Sequence, residues 1–182
     1  MHYLFFDASD YAELGSKIKC NPAIKDARHK PQLRAGLVEG RRDVIATDHA
    51  PHTAEEKAGT YFNAPAGLPL VPHSLNIMLA VADEEDWDLP FLAQKMSHAV
   101  ADCFHMRERG YLREGYFADF FLLDADVEWT VRKDRLLYRC GWSPLEGRQF
   151  KGQVRQTWVN GVQVWDSGSG LLQRADKRLL FH

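Results

Sequence analysis

The order of apolar and polar positions changes character partway along the chain. In the first half, short apolar or alternating runs end at polar or proline-marked points and give way to helix-spaced segments. Residues 3–6 form an apolar run ending at Asp7-Ala8-Ser9-Asp10, a helix start, and Gly15 closes the brief helix that follows. Lys17-Ile18-Lys19-Cys20-Asn21 alternates and then meets Pro22, which predicts a short strand presenting Asn21 on a loop. Between Asp26 and Glu39 the leucines Leu33 and Leu37 fall at i, i+4 beside Ala35, and Gly40 supplies the stop. Residues 43–48 read as a compact β-branched strand. After a loop rich in Pro and Gly, helices are predicted over 73–83 and over about 90–105, where Leu92, Met96, Val100 and Cys103 recur at helical spacing.

The second half reads differently. Residues 118–123, 128–131 and 153–165 have strand patterns, the last broken by an Asn160-Gly161 hairpin turn. Residues 177–182 read as a loose tail, and there is no internal repeat or low-complexity stretch. Alternating strand and helix followed by a small β unit predicts an α/β fold. Its first half would form a parallel sheet whose strand ends carry the site, as in α/β barrels and doubly wound folds.

Composition narrows the partners more than the fold. The chain has 182 residues, 45% hydrophobic and 26% charged, which suits one packed domain or part of a larger one. Lys plus Arg is 23 against Asp plus Glu at 25, and the basic residues are scattered, so neither nucleic acid nor an anionic membrane is an expected partner. The longest uncharged run, residues 61–82, holds Pro65, Pro69 and Pro72 and is a poor membrane span. The N-terminal apolar stretch is too short for a signal peptide. Three widely spaced cysteines, Cys20, Cys103 and Cys140, argue against a disulfide scaffold and fit a reducing cytoplasm as core thiols.

The chemistry concentrates in Val44-Ile45-Ala46-Thr47-Asp48-His49-Ala50-Pro51-His52-Thr53, an apolar run that delivers an acid and two histidines to its end. An aspartate just past a parallel strand can reach a metal or act as a base, and Pro51 stiffens the backbone that aims His52. The same spacing equally fits an aspartate capping a turn beside two surface histidines.

Here the chain becomes recognisable. Ile18-Lys19-Cys20-Asn21-Pro22-Ala23, then Ala46-Thr47-Asp48-His49-Ala50-Pro51-His52-Thr53 with Glu55-Glu56-Lys57, resembles the dihydroorotases of the amidohydrolase superfamily. The likeness runs on through Ala64-Pro65-Ala66-Gly67, Ala118-Asp119-Phe120, Ser143-Pro144-Leu145-Glu146-Gly147 and Val159-Asn160-Gly161.

The resemblance implies a TIM-like (β/α)8 barrel with two zinc ions that interconverts N-carbamoyl-L-aspartate and L-dihydroorotate in pyrimidine synthesis. It implies that Asp48 is a zinc ligand and the catalytic acid/base, and that Asn21 binds substrate. His52 would hold the substrate's free carboxylate, and Ala66 and Gly67 would offer backbone groups to the ring. His2 matches a zinc-binding histidine after the sixth strand; a disordered terminal histidine is the alternative. His49 is expected to orient the loop, while His29, His73, His98, His105 and His182 are left without a role.

The family's His-x-His pair, bridging lysine and fifth-strand histidine have no match here. The resemblance therefore implies a C-terminal portion: residues 1–110 a partial barrel from the end of the sixth strand through the eighth, residues 111–170 part of a small β-sandwich domain, and 171–182 a tail. Such a chain is expected to be poorly stable and inactive alone, with a homodimer open to the complete enzyme. Two rivals stay in play: another cyclic amidohydrolase such as an allantoinase or dihydropyrimidinase, and a non-catalytic dihydroorotase-like scaffold.

Overall fold

The computed structural model describes residues 1–181; His182, expected to be exposed, lies outside the described residues. The first third is built from short helical pieces joined by extended chain. Helix α1 (His2–Phe5) is followed by a 3-10 turn capped by Asp7, whose carboxylate accepts from the Ser9 amide at 3.0 Å, and by α2 (Tyr11–Leu14). Helix α3 (Lys30–Val38) carries the predicted Leu33/Leu37 face and buries Arg34, Gly36 and Leu37. Helix α4 (Ala54–Lys57) starts on a capping box in which Thr53 and Glu56 satisfy each other's amides.

The longest helix, α5 (Ser74–Glu85), buries Asn76, Ile77, Met78, Val81 and Ala82 and ends at Asp86 in the left-handed region. The next predicted helix forms as α6 (Leu89–Ala93), a π-helical turn over Gln94–His98, and α7 (Ala99–Cys103). Asp88 caps it by accepting from the Phe91 amide at 2.8 Å, with Pro90 in the first turn, where its missing N–H costs nothing.

The C-terminal region is an antiparallel sheet in the order β1 (Phe120–Thr130), β2 (Gln149–Val159), β3 (Val162–Asp166) and β4 (Gly170–Leu171). The predicted strands 118–123 and 128–131 are two ends of β1, joined through register shifts that leave 125–127 unpaired with β2. Asn160 and Gly161 close the β2–β3 hairpin with φ of 54° and 78°, the doubly positive pair a two-residue turn matching strand twist requires.

The three strands expected in the first half do not form. Residues 3–6 lie in or beside α1, residues 15–18 make a 3-10 turn, and 43–48 is irregular chain without a ladder. The parallel pairing expected there is reduced, among the described residues, to one bridge, His49 with Leu68. A strand exists only where a neighbour accepts its hydrogen bonds, and here those bonds go to loops and helices: Ile45 N–H to the Lys95 carbonyl, Ala50 N–H to Leu68 and Gly67 N–H to Lys19.

One apolar core joins the halves. Ile18, Leu68, Leu70, Ile77, Met78 and Val81 pack with Val131, Leu145 and Phe150. Asn76 on α5 and Trp129 on β1 both donate to the Gly152 carbonyl at 2.9 Å, fixing the sheet to that helix. The expected loose tail is tied down at two described points: the Arg107 amide donates to the Leu180 carbonyl, and Met106 bridges Phe181.

Candidate functional site

Three chain segments carry the residues singled out from the sequence, and backbone bonds lace them together. The Gly67 amide donates to the Lys19 carbonyl at 2.9 Å, which binds the 65–67 loop to the segment bearing Asn21. The Ala50 amide donates to the Leu68 carbonyl at 3.2 Å, which binds that loop to the segment bearing Asp48 and His52. Gly67 is needed at this crossing: its φ is +141°, and a Cβ there would collide with the Ala50 carbonyl oxygen and methyl group.

Asp48 sits at φ 49°, a left-handed conformation that few residues other than glycine and the Asx pair adopt readily. It is exposed, as are Asn21 and Ala66, whereas Gly67 is buried and His52 half-buried. The Asp48 carboxylate acts electrostatically on His2, Tyr3 and Cys20, so the acid, α1 and the residue preceding Asn21 face one another.

His2 is 1% exposed, so the disordered-terminus alternative does not describe it. Neither of its ring nitrogens has a hydrogen-bond partner, although the Thr47 backbone lies close by. Burial foremost, with the neighbouring terminal ammonium, lowers its pKa to about 4 against the opposing pull of Asp48. At neutral pH the ring is therefore an uncharged imidazole with unpartnered nitrogens, the form in which histidine ligates a metal. Leaving such groups buried and unpaired costs about 1–3 kcal/mol each.

Donor type thus fits a metal at His2 and Asp48, but donor number does not. Among the described residues no group of three His, Cys, Asp or Glu side chains lies together so as to hold a metal ion, and a catalytic zinc takes about three protein ligands.

His52 is already engaged. Its Nε2 lies 3.1 Å from the Ala66 carbonyl oxygen, which can only accept, so that nitrogen carries the proton; Nδ1 faces Glu56 at 3.6 Å. Its own carbonyl accepts from the Trp142 indole at 2.8 Å. A ligand carboxylate would have to displace the Ala66 carbonyl to take the Nε2 proton. His49, expected to orient the loop, accepts at Nδ1 from the Leu70 amide at 3.0 Å and stacks on Tyr138.

Two hollows lie elsewhere. One open hollow of about 630 Å³ is lined by Met96, Arg109, Asn160 and residues between 171 and 179, and another of about 320 Å³ by His49, Pro51 and Tyr138. Neither is lined by Asn21, Asp48, His52, Ala66 or Gly67; the second borders their loop. The residue that sequence reasoning passed over is Lys57, quoted within a motif yet given no role, and 2% exposed beneath the same loops.

The chain belongs to the amidohydrolase family, whose model matches residues 16–164. Among curated proteins it is 34% identical over 165 residues to the dihydroorotase of Halobacterium salinarum, covering 91% of this chain and 39% of that protein. It is 30% identical over 182 residues to an allantoinase of Desulfitobacterium hafniense, covering all of this chain and 40% of the relative. Among solved structures, the L-hydantoinase (dihydropyrimidinase) of Arthrobacter aurescens superposes with a TM-score of 0.86 at 27% identity, over 94% of this chain and 39% of that one. The chain therefore spans about two fifths of the length of the relatives it matches.

Proposed function

We propose that this chain contributes to a cyclic amidohydrolase site and that its substrate pair is N-carbamoyl-L-aspartate and L-dihydroorotate. The observation that carries the reading is the lacing of the Asn21, Asp48–His52 and Ala66–Gly67 segments beside the unpartnered His2 imidazole. The Asn-Pro and Asp-His-Ala-Pro-His strings and the likeness to a dihydroorotase at 34% identity support the particular substrate.

In this reading Asp48 moves the proton. In the ring-opening direction a water oxygen bonds to the ring carbonyl carbon, the ring C–N bond breaks, and a proton of that water passes through the Asp48 carboxylate to the departing nitrogen. Asn21 and the Ala66–Gly67 backbone orient the ring. His52 exchanges the Ala66 carbonyl for the ring's carboxylate, a charge-assisted bond that is stronger than the one it replaces. The zinc pair of the dihydroorotase reading would polarise the carbonyl; His2 and Asp48 are the donors this chain would lend to it.

The 30% identity to an allantoinase across the whole chain favours a second reading, a ring without a carboxylate on it. Titrating the 15N-labelled chain separates the two. L-dihydroorotate is expected to shift the Asn21, His52 and Gly67 amides with a Kd of about 1 mM, or about −4 kcal/mol, while allantoin and dihydrouracil leave them unmoved. Equal shifts with allantoin, or shifts with allantoin alone, would replace the dihydroorotate reading with the second.

A further inference from the structure

Lys57 is a buried cation without an anion. Its side chain is 2% exposed, and no carboxylate among the described residues pairs with it. Burying an ammonium is costly unless its donors are all used, and a methionine would fill the space without that cost. The three donors of Lys57 are all used. Nζ reaches the Pro65 carbonyl at 2.9 Å, the Gly67 carbonyl at 3.0 Å and the Lys19 carbonyl at 3.3 Å.

These acceptors are the chain segments of the site. Pro65 and Gly67 flank Ala66, whose carbonyl faces His52; Lys19 lies two residues before Asn21 and also accepts from the Gly67 amide. The lysine's own backbone is held on one side by the Thr53 carbonyl, in the cap that follows His52, and on the other by the Ser16 hydroxyl. The ammonium thus touches the Asn21 segment and both sides of Ala66, including the Gly67 carbonyl, while the lysine's own amide ties the cap after His52; it does not touch the Asn21, Asp48 or His52 side chains.

We propose that Lys57 is the positioning residue of this site: its ammonium holds the Asn21 segment, the Ala66–Gly67 loop and the helix after His52 in one mutual arrangement. The proposal rests on the substrate-binding role assigned above to Asn21, His52 and Gly67. Burial foremost, then the nearby Lys19, lowers the Lys57 pKa to about 8. The three carbonyls favour the charged form, so at pH 7 the group is an ammonium with three protons to give.

The test is made on the whole chain by NMR. In the unaltered protein the Lys57 15Nζ signal is expected to persist in slow exchange, with through-bond couplings to the carbonyl carbons of residues 19, 65 and 67. In Lys57→Met the Gly67 and Ala50 amides are expected to exchange at least about tenfold faster, with α5 and β2 amides unchanged. The Kd for L-dihydroorotate should rise about tenfold.

The proposal is overturned if the Lys57 ammonium exchanges as fast as that of exposed Lys25, or if Lys57→Met loosens α5 and β2 as much as Gly67. Should the variant yield no folded protein, the Nζ measurement on the unaltered chain decides. If the unaltered chain ignores L-dihydroorotate, the functional reading fails while the Gly67 and Ala50 exchange rates still report on Lys57.

Discussion

His73 shows how a single buried group makes stability depend on pH. Its Nδ1 lies 2.8 Å from the Tyr138 hydroxyl, its ring stacks against Trp129, and burial lowers its pKa to about 4. The unfolded chain takes up that proton near pH 6.5, so between the two values the unfolded state holds more protons. The contribution is therefore whole above 6.5 and is lost as pH falls through 4. Urea melts at pH 7.0 and 4.5 should show a stability loss smaller by roughly 2–3 kcal/mol in His73→Gln than in the unaltered protein. An equal loss in both would remove His73 as the titrating group. His2, also lowered to about 4, adds a second loss of the same sign that the variant retains.

At the scale of elements, one of the shortest helices is held by a buried arginine. Helix α1 has only four residues, too few to stand alone, yet it carries His2. Arg34 on α3 donates to the Leu4 carbonyl from Nε at 3.0 Å and from a terminal nitrogen at 2.7 Å, and pairs with Glu84 and Glu85 at 2.8 Å. Arg34→Met should lower the unfolding free energy from urea melts by roughly 1–3 kcal/mol and speed amide exchange at the end of α1; an unchanged midpoint would show that apolar packing alone seats the helix. Helices α3 and α5, the α6–α7 run and the Asn160-Gly161 hairpin were all legible from periodicity and turn chemistry, because each satisfies its backbone locally. The first-half strands were not. Their apolar runs are real and Ile18 is fully buried, but a ladder depends on a neighbour that the run itself does not specify. The same division holds in the site. Asp48, His52 and Asn21 stand in readable strings, whereas Lys57 is conspicuous only once three distant carbonyls are seen to converge on it.

At the scale of the whole molecule, the unused bonding capacity has to be weighed against the donors present. The sheet and helices share one core, yet Phe62, Leu112 and Leu171 stand 91%, 75% and 68% exposed, and His2 keeps two ring nitrogens unpartnered. A four-ligand zinc site in a small domain is worth about 10–16 kcal/mol; the two proposed donors, His2 and Asp48, would scale to about 5–8 kcal/mol, a Kd of roughly 1–200 μM. Calorimetric titration with zinc at pH 7 should therefore show one weak site that His2→Ala removes, and the zinc-treated chain should not turn over L-dihydroorotate. Nanomolar uptake of two zinc ions, with turnover, would mean that ligands outside this pair assemble around Asp48. Weak binding untouched by His2→Ala would place the metal elsewhere, with the exposed Cys103 thiol the first group to test, and would leave the orphaned imidazole to be explained by packing rather than ligation.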